Sequence, residues 1–248
     1  MSAVLASGET RAVSTLLQTA LLGWPYLGLV LAAWLAAVLV SEARRLPGRP
    51  WTDPGWVLGW VWPMYLLHQF EEHGVDLLGR HYAFLGFLCE ALGSPGPGCP
   101  ATPAFVFSVN VLACQLAFGI AFATRRTRPL VAACVWGIPL VNVVPHVLAA
   151  LAFRRYDPGL LTAVVLFVPA CVWMLRTVVR SEVVPAAGVW RIVATGALTH
   201  LVLLGSLWLR ARGLLSGEGL FVVNAVNGGW ALILGRSGPR PAVAGDLP

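Results

Sequence analysis

The segment His68-Gln69-Phe70-Glu71-Glu72-His73 places two imidazoles and two carboxyls at the end of an apolar run, Trp56 to Leu67. On a helix, His68, Glu71 and Glu72 stand at i, i+3 and i+4 and share a face, while His73 points elsewhere, toward an interfacial, solvated position. Such groups beside hydrocarbon are costly unless they face a protein interior or an aqueous cavity, so the cluster marks a functional site. A second pair, Asn142 and His146, repeats the i, i+4 spacing, with Pro139 and Pro145 loosening the helix around it. His200, Asn224, Asn227 and Trp230 lie in later apolar runs and are the candidates for substrate contacts or support. Asn110 reads as interhelical glue.

Two kinds of chemistry suit these residue types. In the first, no cofactor is needed. Adjacent carboxyls repel and burial disfavours charge, so one of Glu71 and Glu72 is expected to keep its proton. It would deliver that proton to an alkene or epoxide, with His68 as its partner and His146 as the base. That describes an isomerase or cyclase acting on a lipid-soluble, isoprenoid-like molecule. In the second, His68, Glu72, His146 and His200 hold Zn²⁺ or Fe²⁺ for hydrolysis or oxidation of a lipid. A third reading, a proton-coupled carrier, fits poorly with a chain that lacks an internal repeat.

These side chains must be positioned by membrane helices. Of 248 residues, 58% are hydrophobic and 11% charged, and mean hydropathy is +0.76. Soluble domains carry about 25% charged residues. The net charge of +6 is no nucleic-acid footprint, because all 17 basic residues are Arg and most stand at the ends of apolar runs. The expected architecture is an all-α bundle of about seven transmembrane helices in a single domain over residues 1–235, with no repeat. The spans are 16–40, 55–73, 103–124, 129–153, 159–179, 189–209 and 219–234. Residues 82–92 are apolar but too short to cross and read as an interfacial piece. Residues 236–248 read as a disordered tail. The first run is too long for the core of a cleavable signal and is expected to remain as a helix.

With the N-terminus on one side, Arg counting puts 6 Arg there and 11 on the other, which makes the second side cytoplasmic. The N-terminus is then outside and the C-terminus inside. Cys89 and Cys99 share the long outer connection, where they either pair or remain free thiols. Cys114, Cys134 and Cys171 read as packing residues. The 11 Trp read as interfacial belts or packing, or as walls of a pocket for a carbocation or apolar ligand. Gly228-Gly229 would break the last span beside Asn227.

The pattern His68-x-x-Glu71-Glu72, followed by Asn142-Val-Val-Pro-His146 and by Tyr156-Asp157-Pro158-Gly159-Leu160-Leu161-Thr162-Ala163, resembles the bacterial HXXEE-domain family of membrane proteins over residues 60–173. The resemblance implies a bacterial inner-membrane protein and names residues rather than a reaction. His68 and Glu72, with Asn227-Gly-Gly-Trp230, are also similar to the pocket of emopamil-binding-type sterol isomerases. Integral-membrane terpene cyclases offer a related analogy. Both imply proton transfer to an isoprenoid.

Overall fold

Pro63 has no N–H to give Gly59, so the second helix cannot run straight through. It closes a tighter turn at Trp60, whose N–H bonds Val57 O at 3.2 Å, and resumes with Met64 N–H to Trp60 O. The same device recurs in the fifth helix, where Pro139 follows a tight turn at Trp136. In the computed structural model, which describes residues 2–236, these breaks help aim the polar side chains inward. Eight helices follow one another: α1 (Ser2–Ala43), α2 (Pro54–Gly59 and Val61–His73), α3 (Ala83–Ala91), α4 (Pro103–Thr124), α5 (Pro129–Phe153), α6 (Leu160–Arg180), α7 (Val189–Ala211) and α8 (Gly217–Leu234).

Six of them, counting Thr19–Ala43 within α1, are long and apolar enough to cross a membrane. This is one fewer than the sequence count, and the missing one is α2. It is broken at Trp60 and charged at its end, yet it runs the depth of the bundle. At its start, Asp53 and Glu42 of α1 both bond the guanidinium of Arg126, beyond α4, and Glu42 also bonds Arg125. At its far end, Glu71 meets the first residues of α6. Twenty residues of helix cover about 30 Å, the thickness of a bilayer core. Nearly all of α2 is buried, so its neighbours rather than lipid surround its polar end. Leu27, Val30, Leu148, Leu151, Val165, Leu201 and Val226 form an exposed apolar exterior. The polytopic all-α bundle therefore stands. The expected disordered tail falls, except for Arg236, outside the described residues.

Two helices widen locally. In α4 the backbone over Ser108–Gln115 is π-helical, and in α6 so is Ala163–Phe167, just ahead of Pro169. Such turns often sit at functional sites because they re-aim side chains. Here they carry Asn110, Cys114 and Phe167 toward the His/Glu cluster. Elsewhere α5 and α7 touch backbone to backbone: a Cβ on Gly137 would lie 1.8 Å from Ile192 O. This crossing brings His200, one turn beyond Gly196, within reach of α5.

The interfacial piece is α3, and Cys89 on it is bonded to Cys99. Phe87 and Cys89 turn inward, and the helix roofs the cavity described below. Closing so short a loop stabilises by about 2–3 kcal/mol through the unfolded chain's entropy. Cys99→Ser is expected to lower the thermal midpoint in detergent and loosen α3 to proteolysis. An unchanged midpoint would show that α3 holds its place without the tether.

Candidate functional site: two histidines and a glutamate facing one point

Glu71 and Glu72 are adjacent in sequence but part in space. Glu72 turns toward His68, as i, i+4 spacing dictates, whereas Glu71 faces α6. The Glu71 carboxylate accepts the backbone N–H of Leu161 at 3.0 Å and of Thr162 at 2.8 Å, together with the hydroxyls of Thr162 and Tyr156. A carboxylate at a helix N-terminus satisfies free backbone donors and complements the helix dipole. Burial and the bond to Glu71 hold the Tyr156 phenol well above its ordinary pKa, so it stays a donor. The two carboxyls, expected to share a face, thus turn to different partners. Glu71 anchors the start of α6.

That anchoring decides the tautomer of His68. Thr162 Oγ1 gives its proton to Glu71, so it accepts from His68 Nδ1–H at 2.7 Å. His146 Nδ1 stands 2.8 Å from the carboxylate oxygen Oδ2 of Asp157 and must donate to it. Burial raises the Asp157 pKa while the His146 bond opposes the rise. In its neutral form each imidazole therefore turns an accepting Nε2 toward Glu72 and Asn142. His68 Nε2 lies 3.4 Å and His146 Nε2 3.2 Å from the same atom, Glu72 Oε1. All three residues are buried. Glu72 Oε2 accepts from Gln69 Nε2 at 2.9 Å.

Asn142 Nδ2 sits 2.9 Å from His68 Nε2 and 3.2 Å from His146 Nε2, and its Oδ1 lies 3.0 Å from His200 Nε2. Gly159 closes the other side. Its φ is +98°, and its missing side chain leaves room for both imidazoles and the Glu72 stem. Phe167 packs on the His68 ring at 4.6 Å between centroids.

A cavity of about 170 Å³ adjoins the cluster. Glu72, Asn142, His146, Asp157 and His200 line its polar end, and Phe84, Phe87, Phe105, Val106, Leu203 and Leu207 line much of the rest. Leu204 lines it too and is 50% exposed outside, so the wall toward lipid is one side chain thick there. Asp157 Oδ1 is buried without a hydrogen-bond partner.

Of the residues singled out from sequence, His68, Glu72, Asn142, His146 and His200 come together. Asn224, Asn227 and Trp230 do not. Asn224 Nδ2 bonds Ser206 Oγ, Asn227 Nδ2 bonds Thr199 O, and Trp230 Nε1 bonds Asn227 Oδ1, all in the seam between α7 and α8. No Trp lines the cavity. His73, expected to be solvated, is only 5% exposed. The fold wraps it between Trp24 and Phe84, and Asn110 donates to its Nε2 at 3.1 Å. Asn110 also lines the cavity and accepts from Tyr65, a larger part than interhelical glue. Asp157, Thr162 and Gly159 carry roles that their types alone do not disclose. The Asp-Pro-Gly turn between two apolar runs was the available signal.

No curated protein and no solved structure matches the chain. The family described as a protein of unknown function with an HXXEE motif matches residues 60–174. That segment supplies His68, Glu72, His146 and every residue that fixes their orientation, and over it the chain is similar to the HXXEE family.

Proposed function

We propose that this chain is an integral-membrane metalloenzyme in which His68 Nε2, Glu72 and His146 Nε2 hold a divalent ion beside a cavity for a lipid-soluble substrate. One observation carries the reading: two imidazole Nε2 atoms and a carboxylate oxygen converge in a buried place. The Asn142 amide nitrogen faces the two Nε2 atoms, but between them and Glu72 Oε1 only a cation, a metal ion or a proton, relieves the meeting of acceptors. Donors about 2.0–2.2 Å from a tetrahedral zinc stand about 3.3–3.6 Å apart, close to the 3.2 and 3.4 Å found between Glu72 and the two imidazoles. The bonds to Asp157 and Thr162 orient the two imidazoles as outer partners do in metal sites. A His₂Glu set suits Zn²⁺ and hydrolysis; Fe²⁺, which accepts the same donors, would bring oxidation. When bound, the ion would polarise a water or a carbonyl oxygen. Asp157 Oδ1 is free to accept a proton donor from the reacting molecule. The chain would sit in a bacterial inner membrane with its N-terminus outside, a reading supported by the Arg bias and by the disulfide on the opposite side from most Arg.

A proton is the other cation that can relieve the cluster. The direct contacts of Glu72 with His68 and His146 favour, as a second reading, metal-free proton transfer on an isoprenoid-like substrate. Elemental analysis of the purified protein separates the two. About one zinc or iron per chain is expected, lost in His146→Ala and in Glu72→Gln. A wild-type protein that turns over substrate without stoichiometric metal, and loses turnover in Glu72→Gln, would replace the metal centre with the proton relay.

A further inference from the structure

We propose that Asn142 is an exchangeable fourth ligand of this centre, its amide oxygen turned toward the ion by His200. The inference rests on the metal reading above and follows from hydrogen-bond polarity. His200 Nδ1 lies 2.8 Å from Gly196 O. A carbonyl oxygen only accepts, so Nδ1 carries the hydrogen and a neutral His200 offers Nε2 as a lone pair. Opposite that lone pair, at 3.0 Å, stands Asn142 Oδ1, a second acceptor. The two repel in a buried site.

Turning the amide end over end removes the conflict. Nδ2 then donates to His200 Nε2, and Oδ1 occupies the place now held by Nδ2, 2.9 Å from His68 Nε2 and 3.2 Å from His146 Nε2. The ends of an amide have nearly the same shape, so the exchange needs no space. Without a cation the turned oxygen would meet two lone pairs, and the amide nitrogen belongs there instead. With a cation the oxygen belongs there. The amide thus has two settings, and occupancy of the site selects between them.

The distances agree. Four separations among Asn142, His68, His146 and Glu72 run from 2.9 to 3.4 Å, from slightly short of a zinc tetrahedron's edge up to that edge, so a small outward movement would seat the ion. Asn142, like Glu72 and His146, lines the cavity. A neutral amide is a weak ligand, so water or a substrate oxygen arriving from the cavity can displace it. His200 is a positioning residue: it touches the amide, and the close crossing of α5 and α7 fixes its distance.

Cobalt tests this, since Co²⁺ absorbs strongly in the visible only when four-coordinate. Metal-free protein would be titrated with CoCl₂ in detergent, and bound Co²⁺ read by absorbance. Wild type is expected to give intense tetrahedral bands. Asn142→Ala should bind Co²⁺ about tenfold more weakly with weaker, shifted bands, and Asn142→Asp should keep the intensity. His200→Ala should lose about ten- to a hundredfold in affinity, as loss of an orienting partner does. Thermal midpoints of the metal-free variants separate these effects from misfolding. If Asn142→Ala matches wild type in affinity and spectrum while His146→Ala binds nothing, Asn142 is no ligand and the three-residue centre survives. If wild type itself binds no Co²⁺, both readings fall.

Discussion

Gly159→Ala is expected to abolish the proposed metal binding and to destabilise the bundle by about 2–4 kcal/mol, the sum of left-handed backbone strain and overpacking. The added methyl would stand 2.7 Å from His146 Cε1, 2.8 Å from Glu72 Cγ and 2.9 Å from His68 Cε1. Real side chains do not approach so closely, so all three candidate ligands would have to move together. Backbone strain comes on top, because φ at Gly159 is +98°. Gly79→Ala is the control. Its φ is +74°, but a Cβ there meets nothing within 4 Å, so only about 1 kcal/mol of strain is expected and metal should be retained. Metal content and thermal midpoints of the two variants check this. Equal behaviour would mean that the space at Gly159 is not what keeps the three side chains together.

Glu71→Ala is expected to cost about 3 kcal/mol or more and to release the start of α6. It leaves the N–H groups of Leu161 and Thr162 and two hydroxyls without their charged acceptor in a buried place. Thr162 would no longer be committed as an acceptor for His68, so metal affinity should fall as well. Glu71→Gln keeps the shape but turns donors toward donors, and should show a smaller loss of the same kind. The sequence reading of Glu71 as a proton donor expects something different: Glu71→Gln with its wild-type thermal midpoint and no turnover. Thermal unfolding beside an activity measurement distinguishes the two, and that second pattern would return Glu71 to the chemistry.

Much of this was legible before any coordinates. Long apolar runs closed by Arg read as membrane helices because every backbone group in hydrocarbon must be bonded within its own segment. The spacing of His68 to Glu72 and of Asn142 to His146 reads as two shared helix faces because 3.6 residues make a turn. The second helix was harder to class: the chain gives its length, but its burial by neighbours, which lets it carry Glu71 and Glu72, is not written in its own residues.

What the sequence alone determined was thus local: the helical class, the spans and the residue pairs separated by one turn. The tertiary structure alone decided that α6 takes Glu71 away from Glu72, that Asp157 and Thr162 fix the protons of His146 and His68, that His73 is buried, and that Asn224 and Asn227 serve the seam of α7 and α8. These outcomes depend on contacts between residues far apart in the chain, such as 71 with 162, and helix periodicity carries no information about which faces will meet.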